Sequence, residues 1–319
     1  MELTRLQIGG CIVALGSLLA LSGHCLQSTD PVADARSLLN GGELAKSEAE
    51  LRNYLEKEPA SADAHFLLGY VLFREKRAKE SLAEFTAGAK NRRPSANELK
   101  VVASDYVMLG DFGDADKWFT QVVTERPDDA DAWYLLGRTK FNESDFAAAK
   151  SSLERALALH PKYVEAENNI GLSWQELNDA EKAKAAFQTA IEWQGTSPSD
   201  AQPFLNLATL LLDENEADKA VSYLTRAESI AANNPKVHEE LGRAYLAQQS
   251  LPQAATEFET AIALSPDISA LHFKLGQIYR KEGMIDRAQR EFDICAKLNS
   301  AHSSMATPNP PAPGGSTPK

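Results

Sequence analysis

A small residue preceded by an aliphatic one recurs along this chain at a nearly constant interval. The pairs are Leu68-Gly69, Val102-Ala103, Leu136-Gly137, Ile170-Gly171, Leu207-Ala208, Leu241-Gly242 and Leu275-Gly276. The step between them is 34 residues, lengthened once to 37. This period is typical of a helix-turn-helix unit that cannot bury its own apolar face and must stack on neighbouring copies. The spacing therefore predicts an all-α solenoid of antiparallel helix pairs.

Other positions keep the same register when the units are counted from Ala62. The twentieth residue of each unit is small, and the twenty-fourth is bulky, as in Ser81 and Phe85 of the first. Small residues at positions 8 and 20 permit the two helices to approach closely. We expect the bulky residue at position 24 to fill the space between adjacent repeats. Prolines close the units at or next to position 32: Pro59, Pro94, Pro127, Pro161 and Pro266.

These residues resemble the tetratricopeptide repeat family, whose pattern is W-x2-L-G-x2-Y, then A-x3-F, then P. The resemblance implies a right-handed superhelical solenoid with a concave groove. Seven repeats are predicted within residues 62–299: 62–95, 96–129, 130–163, 164–200, 201–234, 235–268 and 269–299. An eighth, degenerate unit is predicted at 28–61, with a first helix that begins at about Pro31, because proline is tolerated in an opening turn.

Residues 1–25 are predicted to be a signal peptide or membrane leader. Arg5 precedes an apolar run from Leu6 to Leu21, and small residues follow it. The run is short for a membrane span, which favours export to the periplasm or the exterior over a retained anchor. Lipidation is a further alternative, because the sequence before Cys25 resembles a lipoprotein box with one extra residue.

The carboxy-terminal end differs in composition from the repeats. Residues 300–319 are rich in Pro, Ser, Gly and Thr and are predicted to form a disordered tail. No polar capping helix is visible after the last repeat, whose second helix carries Phe292, Ile294 and Leu298. An apolar solenoid end is poorly soluble, so we expect this end to dock on another chain or on a second copy.

Charge and motifs exclude several classes of function. The net charge of −12 argues against nucleic acid as the main partner. The sequence has no phosphate loop, H-E-x-x-H motif, nucleophile elbow or C-x-x-C pair. Three histidines share repeat position 4, namely His65, His238 and His272, but equal positions on stacked repeats are held apart, which favours packing over chemistry. We therefore predict a protein that is not an enzyme and uses neither cofactor nor metal.

The resemblance implies that positions 2, 5, 9 and 12 of each first helix line the groove. The partner-binding residues predicted there are Phe66, Tyr70, Phe73, Lys100, Tyr134, Arg138, Phe141, Asn168, Arg243 and Arg280. Further members of these positions are Gln175, Thr209, Glu239, Phe273 and Gln277. Aromatic residues beside arginine have the composition of peptide-binding hot spots. For Phe73 and Phe141, packing between repeats is an equal alternative.

The sequence thus predicts an exported, non-enzymatic adaptor that binds partner peptides or domains in its groove. The alternative is a membrane-tethered, lipoprotein-like assembly factor for pilus, outer-membrane or polysaccharide export machinery. An enzyme is the third hypothesis. Relatives that glycosylate proteins carry a catalytic domain after their repeats, whereas a proline-rich tail follows the repeats here.

Overall fold

The structure, a computed structural model, describes residues 30–306, and the predicted leader at 1–25 lies outside that range. Within it the chain forms sixteen α-helices and no β-strand. The helices are α1 (Pro31–Asn40), α2 (Leu44–Lys57), α3 (Ala62–Arg74), α4 (Ala78–Ala89), α5 (Ala96–Leu109), α6 (Phe112–Glu125), α7 (Ala130–Asn142), α8 (Phe146–Leu159), α9 (Val164–Glu176), α10 (Ala180–Gln194), α11 (Gln202–Asp213), α12 (Ala217–Ile230), α13 (Pro235–Ala247), α14 (Leu251–Leu264), α15 (Ser269–Lys281) and α16 (Ile285–Ala306).

Consecutive helices form hairpins that stack into an all-α solenoid, as the repeat period predicts. The first helices α3, α5, α7, α9, α13 and α15 begin at the residues from which the units were counted, and α11 begins one residue later, with Ala201 as its N-cap. In the degenerate unit, α1 begins at Pro31, and the Asp30 side chain accepts a hydrogen bond from the Val32 N–H. A proline in this first turn removes an amide that has no helical partner.

Every hairpin turns through a residue in the left-handed region at repeat position 15. These residues, with φ between 59° and 79°, are Gly42, Lys76, Gly110, Ser144, Asn178, Asn215, Gln249 and Gly283. The left-handed conformation reverses the chain in a short connection and returns the second helix antiparallel to the first. The sequence motif contains no requirement at this position, because five different residue types occupy it. The turn is therefore fixed by the packing of the two helices rather than by glycine alone.

In five hairpins the first helix has glycine at position 8, and there the second helix approaches closely. A Cβ atom added to that glycine would lie 2.4–2.8 Å from the bulky side chain at position 24. The five pairs are Gly69 with Phe85, Gly137 with Leu153, Gly171 with Phe187, Gly242 with Phe258 and Gly276 with Phe292. The position-24 side chain therefore covers the glycine of its own hairpin. It also reaches the adjacent repeat as expected, since Phe119 and Leu153 share core clusters with Leu136 and Ile170 of the repeats that follow them.

Histidine at position 4 links three of the hairpins to the end of the preceding repeat. Nε2 lies 2.9–3.0 Å from the backbone carbonyl six residues earlier in His65, His238 and His272. A carbonyl oxygen only accepts, so Nε2 carries the hydrogen. Trp133 occupies the same position and donates from Nε1 to the Pro127 carbonyl at 3.1 Å. Histidine or tryptophan at position 4 therefore packs and also donates a hydrogen bond to the preceding repeat.

The other ring nitrogen of each histidine faces a carboxylate. Nδ1 lies 2.7–2.8 Å from the glutamate at position 23 of the same hairpin: Glu84, Glu257 and Glu291. Burial of His238 opposes its charge, but hydrogen bonds to Glu257 and to the Ala232 carbonyl outweigh burial and raise the pKa of the imidazole above its usual value.

One buried acid lies between the second and third hairpins. Asp105 on α5 is fully buried, and its single hydrogen bond is from the Ser81 hydroxyl at 2.5 Å. Its Oδ1 atom has no hydrogen-bond partner among the described residues. Burial raises the pKa of Asp105 to about 6, although the Ser81 hydroxyl acts in the opposite direction. When this carboxyl group is charged, it destabilises the folded state.

The lengthened repeat accommodates its extra residues in the loop after α10. The Gln194 side chain closes this loop: Oε1 accepts from the amides of Ser199 and Asp200, at 3.1 and 2.8 Å, and Nε2 donates to the Asp200 carbonyl at 3.1 Å. The insertion is thus a structured turn within the solenoid.

The carboxy-terminal end corrects one predicted boundary. Helix α16 continues to Ala306, so residues 300–306 of the predicted disordered tail are helical, while residues 307–319 lie outside the described range. Alanine and serine have no side chain that would stop the helix, and the first proline follows only at 308. No helix follows α16 in the described part, and Ile285 and Ile294 are exposed there. Self-association through this end stays a prediction.

Candidate partner-binding groove

The first helices of the three amino-terminal units border an open cavity of about 720 Å³. Its lining combines apolar side chains with a charged rim: Arg36, Leu39, Asn40, Asp63, Phe66, Leu67, Tyr70, Phe85, Arg92, Ser95, Asn97, Glu98, Lys100 and Val101. Three of the predicted partner-binding residues, Phe66, Tyr70 and Lys100, are brought together in it. We call this cavity the N-terminal groove.

Phe66 forms the floor of the N-terminal groove and is only 3% exposed. Its ring lies 5.8 Å from that of Phe85 and packs over Gly88, where an added Cβ would come within 2.7 Å. The Arg92 guanidinium lies over the other side, 4.5 Å from the ring centroid. Phe66 therefore supports the residues that a partner would touch, while its own ring exposes little surface for contact.

Charges on the rim of the N-terminal groove are largely paired within the protein. Arg92 forms ion pairs with Glu98 at 2.7 Å and Asp63 at 3.0 Å. The hydrogen bond to Glu98 contributes most to raising the pKa of the Arg92 guanidinium, against the effect of burial. Lys100 pairs with Asp129 at 2.7 Å. These pairs hold the rim in shape.

The pairing of Lys100 alters its predicted role. Asp129 is the N-cap of α7 and accepts a hydrogen bond from the Ala132 amide at 2.9 Å. Burial acts to raise the pKa of Asp129, but the hydrogen bonds from Lys100 and Ala132 outweigh it and lower the pKa. Lys100 thus joins α5 to the start of α7, and a partner that took this ammonium would compete with Asp129.

Arg36 and Tyr70 are residues of the N-terminal groove whose polar groups remain available. Arg36 is exposed on α1, and neither its guanidinium nor the Tyr70 hydroxyl forms a hydrogen bond or ion pair with another described residue. The Tyr70 ring is stacked on Phe73, with centroids 6.1 Å apart, so its position is fixed. Arg36 was absent from the predicted set, although it occupies position 9 of the degenerate unit, where the groove pattern could have identified it.

Tyr134 and Arg138 lie farther along, on α7. The Tyr134 ring packs on Tyr163, with centroids 4.9 Å apart, and the Arg138 guanidinium lies 5.7 Å from its centroid. Burial raises the pKa of Tyr134, while Arg138 acts to lower it. Tyr163 and nearby acids border a smaller cavity of about 290 Å³, which includes Asp131, Glu165 and Asp200. Lys162 is the one lysine in its lining, so acids predominate on this second surface, in contrast to the N-terminal groove.

The remaining predicted residues are scattered and mostly have partners. Asn168 is 6% exposed and accepts a hydrogen bond from Asn206 at 2.9 Å. Phe141 packs edge-on against Phe146 of its own hairpin, with centroids 5.2 Å apart. Arg243 is paired with Glu240 and Asp213. Arg280 is exposed and lies over the Phe292 ring at 5.7 Å. These residues do not form one site with the N-terminal groove.

The stacked hairpins define the class of protein as an all-α repeat solenoid with a concave binding surface. Three family models match it: tetratricopeptide repeat over residues 32–96, cilia and flagella-associated protein 70 middle TPR-like domain over 99–231, and TPR repeat over 242–283. Between them these matches cover most of the described residues. The chain belongs to the tetratricopeptide repeat family.

A solved structure has the same fold. The tetratricopeptide repeat protein from Parabacteroides merdae aligns with a TM-score of 0.63 at 19% identity, over 78% of this chain and 97% of that one. At this identity the similarity shows the fold alone. No helix among the described residues combines the length and the hydropathy needed to cross a membrane.

Two curated relatives match by sequence over 60% of this chain. The protein FlbA of Caulobacter vibrioides is 24% identical over 191 residues. The human protein O-mannosyl-transferase TMTC1 is 26% identical over 198 residues. The match covers 32% of FlbA and 22% of TMTC1, so the chain spans a third or less of each of these relatives.

Proposed function

We propose that this protein is a non-enzymatic scaffold that holds an extended segment of a partner protein in the N-terminal groove. The fold it shares with other tetratricopeptide repeat proteins generally serves protein interaction. The observation that carries the proposal is the composition of the groove. An apolar floor lies beside the Tyr70 hydroxyl and the Arg36 guanidinium, which have no partners among the described residues.

The chemistry of the N-terminal groove indicates what the segment contains. Val101 and the Tyr70 ring, both half-buried, present apolar surface beside the Phe66 floor, which suits an aliphatic or aromatic anchor. Arg36 is the rim cation without a compensating acid among the described residues, so it suits a carboxylate or a backbone carbonyl one or two residues from that anchor. Arg92 and Lys100 are already neutralised. The preferred segment therefore has one apolar anchor and one acceptor.

Capture of partners from the source cells tests this proposal. Tyr70→Ala and Arg36→Ala should each weaken retention of the partner about tenfold, since hot-spot truncation costs on the order of 1–2 kcal/mol. Thr86→Ala is the control, because Thr86 is exposed on α4, bonds to the Leu82 carbonyl of its own helix and lies outside the cavity lining. Helicity by circular dichroism checks that each variant is folded. Retention equal to that of the control would remove the groove assignment.

We also propose that the scaffold works outside the cytoplasm. The support is the sequence of residues 1–25, with its basic start, apolar run and small residues. Fused to residues 1–30, a phosphatase that is active only after export should be active in a bacterial host. Replacing three apolar residues of the run with aspartate should abolish that activity. An inactive parent fusion would contradict export, and lipid found on Cys25 by mass spectrometry would favour the membrane-tethered alternative.

A further inference from the structure

We propose that His238, Glu228 and Glu257 bind one divalent transition-metal ion of the zinc type. The three side chains come from three successive helices: Glu228 from α12, His238 from α13 and Glu257 from α14. One ligand atom of each lies within 4.8 Å of the others. Imidazole with carboxylate oxygens is a ligand set that zinc accepts, with water in a fourth position.

The imidazole is oriented for this role by a backbone carbonyl. Nε2 donates to the Ala232 carbonyl at 2.9 Å, so a neutral ring has its lone pair on Nδ1. Nδ1 points at Glu257, 2.8 Å away. A metal-binding histidine commonly donates its second nitrogen to a carbonyl or carboxylate in this way, which fixes both tautomer and ring orientation. His238 itself is only 4% exposed, so the ring has little freedom to leave.

The two glutamates of the proposed site are not paired with a basic side chain other than His238 among the described residues. Among the described residues, neither Glu228 nor Glu257 forms an ion pair with lysine or arginine, and Glu228 forms no hydrogen bond. Two partly buried carboxylates facing one another are unfavourable unless a cation lies between them. A divalent ion would neutralise both. Ligand atoms of a tetrahedral zinc site lie roughly 3.4 Å apart, given bonds of about 2.1 Å, so small side-chain rotations would complete the geometry.

The chain contains two matched positions that lack the third ligand. His65 with Glu84, and His272 with Glu291, repeat the pair at 2.7 Å and the same carbonyl bond. Ten residues before each histidine, where Glu228 precedes His238, the sequence has Leu55 and Ile262. These two pairs are explained by the fold alone. Glu228 distinguishes the pair of His238 and Glu257 from these two pairs, and the proposal depends on this residue.

A bound ion would join two repeats. Glu228 belongs to repeat 201–234, and the other two ligands belong to repeat 235–268. A ligand that binds only the folded state stabilises it in proportion to the logarithm of its concentration over Kd. Metal binding would therefore raise the stability of this junction, independently of what occupies the N-terminal groove.

Titration of the metal-free full chain with zinc sulphate, followed by calorimetry, tests the proposal. The wild-type protein should bind one ion and melt at higher temperature with zinc. Glu228→Leu, which introduces the residue found ten positions before His65, should keep the helicity and lose zinc affinity by more than the roughly 10- to 100-fold that loss of an outer-shell partner costs. Leu55→Glu should create a second site at His65 and Glu84 and raise the stoichiometry to two.

Two results would overturn the assignment. Zinc affinity unchanged in Glu228→Leu would place the ion elsewhere in the chain. No zinc binding by the wild-type protein at millimolar concentration would show that the His238 pair is structural, like the other two. If Glu228→Leu failed to fold, the stoichiometry of Leu55→Glu would decide, because a value unchanged from wild type would also contradict the proposal.

Discussion

Gly171→Ala is expected to destabilise the array by about 1–2 kcal/mol, measured as a lower urea midpoint. The added Cβ would lie 2.4 Å from Cε1 and 2.6 Å from Cδ1 of Phe187. Phe187 is fully buried, so the ring has no free space into which it could move. Overpacking a filled core costs typically 1–3 kcal/mol, which exceeds the gain of up to about 1 kcal/mol from replacing glycine by alanine in a helix.

Two further variants separate packing from backbone effects. Gly113→Ala adds the same methyl group to an exposed site on α6, where the nearest atom is Glu143 Oε1 at 3.9 Å, so no loss of stability is expected. Phe187→Leu in the Gly171→Ala background reproduces the natural pair of Ala208 and Leu224 and should recover part of the loss. If the Gly171→Ala protein were as stable as the Gly113→Ala protein, α9 and α10 would be able to move apart and accept the methyl group without loss of stability.

Asp105→Val is expected to stabilise the protein by roughly 2–3 kcal/mol at pH 7.5. Burial raises the pKa of Asp105 to about 6 from an ordinary value of 3.8, and each pKa unit corresponds to about 1.4 kcal/mol. The folded state thus binds the proton more tightly than the unfolded state does. The stability that the folded state gains by binding this proton on Asp105 is present at low pH. It is lost as the pH rises from about 4 through 6.

The difference between variant and wild type should therefore depend on pH. It should be small at pH 4 and reach its full value above pH 7, measured by urea unfolding at each pH. The substitution is compatible with the fold, since position 10 of other repeats has Val71, Thr139, Ser173, Leu210, Ala244 and Ile278. Once Asp105 is replaced, the Ser81 hydroxyl can donate its one hydrogen to the Gly69 carbonyl, which lies 2.8 Å away.

Ser81→Ala provides the opposite change. It removes the one hydrogen bond to the carboxylate and should destabilise the wild-type protein at pH 7.5 by about 1–2 kcal/mol. In the Asp105→Val background the same substitution should cost less, because no charge remains to be hydrogen-bonded. Two results would contradict the account of a costly buried charge. One is an Asp105→Val protein that is less stable than wild type at pH 7.5, and the other is a gain in stability that does not vary with pH.

The repeat period predicted the fold because it reports packing constraints that are local in sequence. Glycine at position 8 and a bulky residue at position 24 meet within one hairpin, so their spacing alone defined the pairs of helices. The predicted end of the last helix was wrong, since residues 300–306 contain no helix-breaking residue and continue α16. The prediction used the composition of residues 300–319 as a whole, and the prolines and glycines that follow residue 306 determined that composition.

The site was predicted less completely, for reasons that depend on contacts between repeats. Tyr70 lines the N-terminal groove, and its role in partner binding stays a prediction. The sequence pattern could not show that Arg92 covers Phe66, or that Lys100 pairs with Asp129, 29 residues away on another hairpin. The grouping of Glu228 with His238 likewise depends on how two repeats stack, and the pattern assigned this histidine to packing alone.

The most direct test of the central claim, that the N-terminal groove holds the partner, is site-specific photo-crosslinking in the source cells. A photoreactive phenylalanine analogue at position 70 lies in the groove, and the same analogue at position 86 lies on exposed α4. We predict a crosslinked partner from position 70, diminished by Arg36→Ala, and none from position 86. Crosslinks from position 86 with none from position 70 would contradict the account.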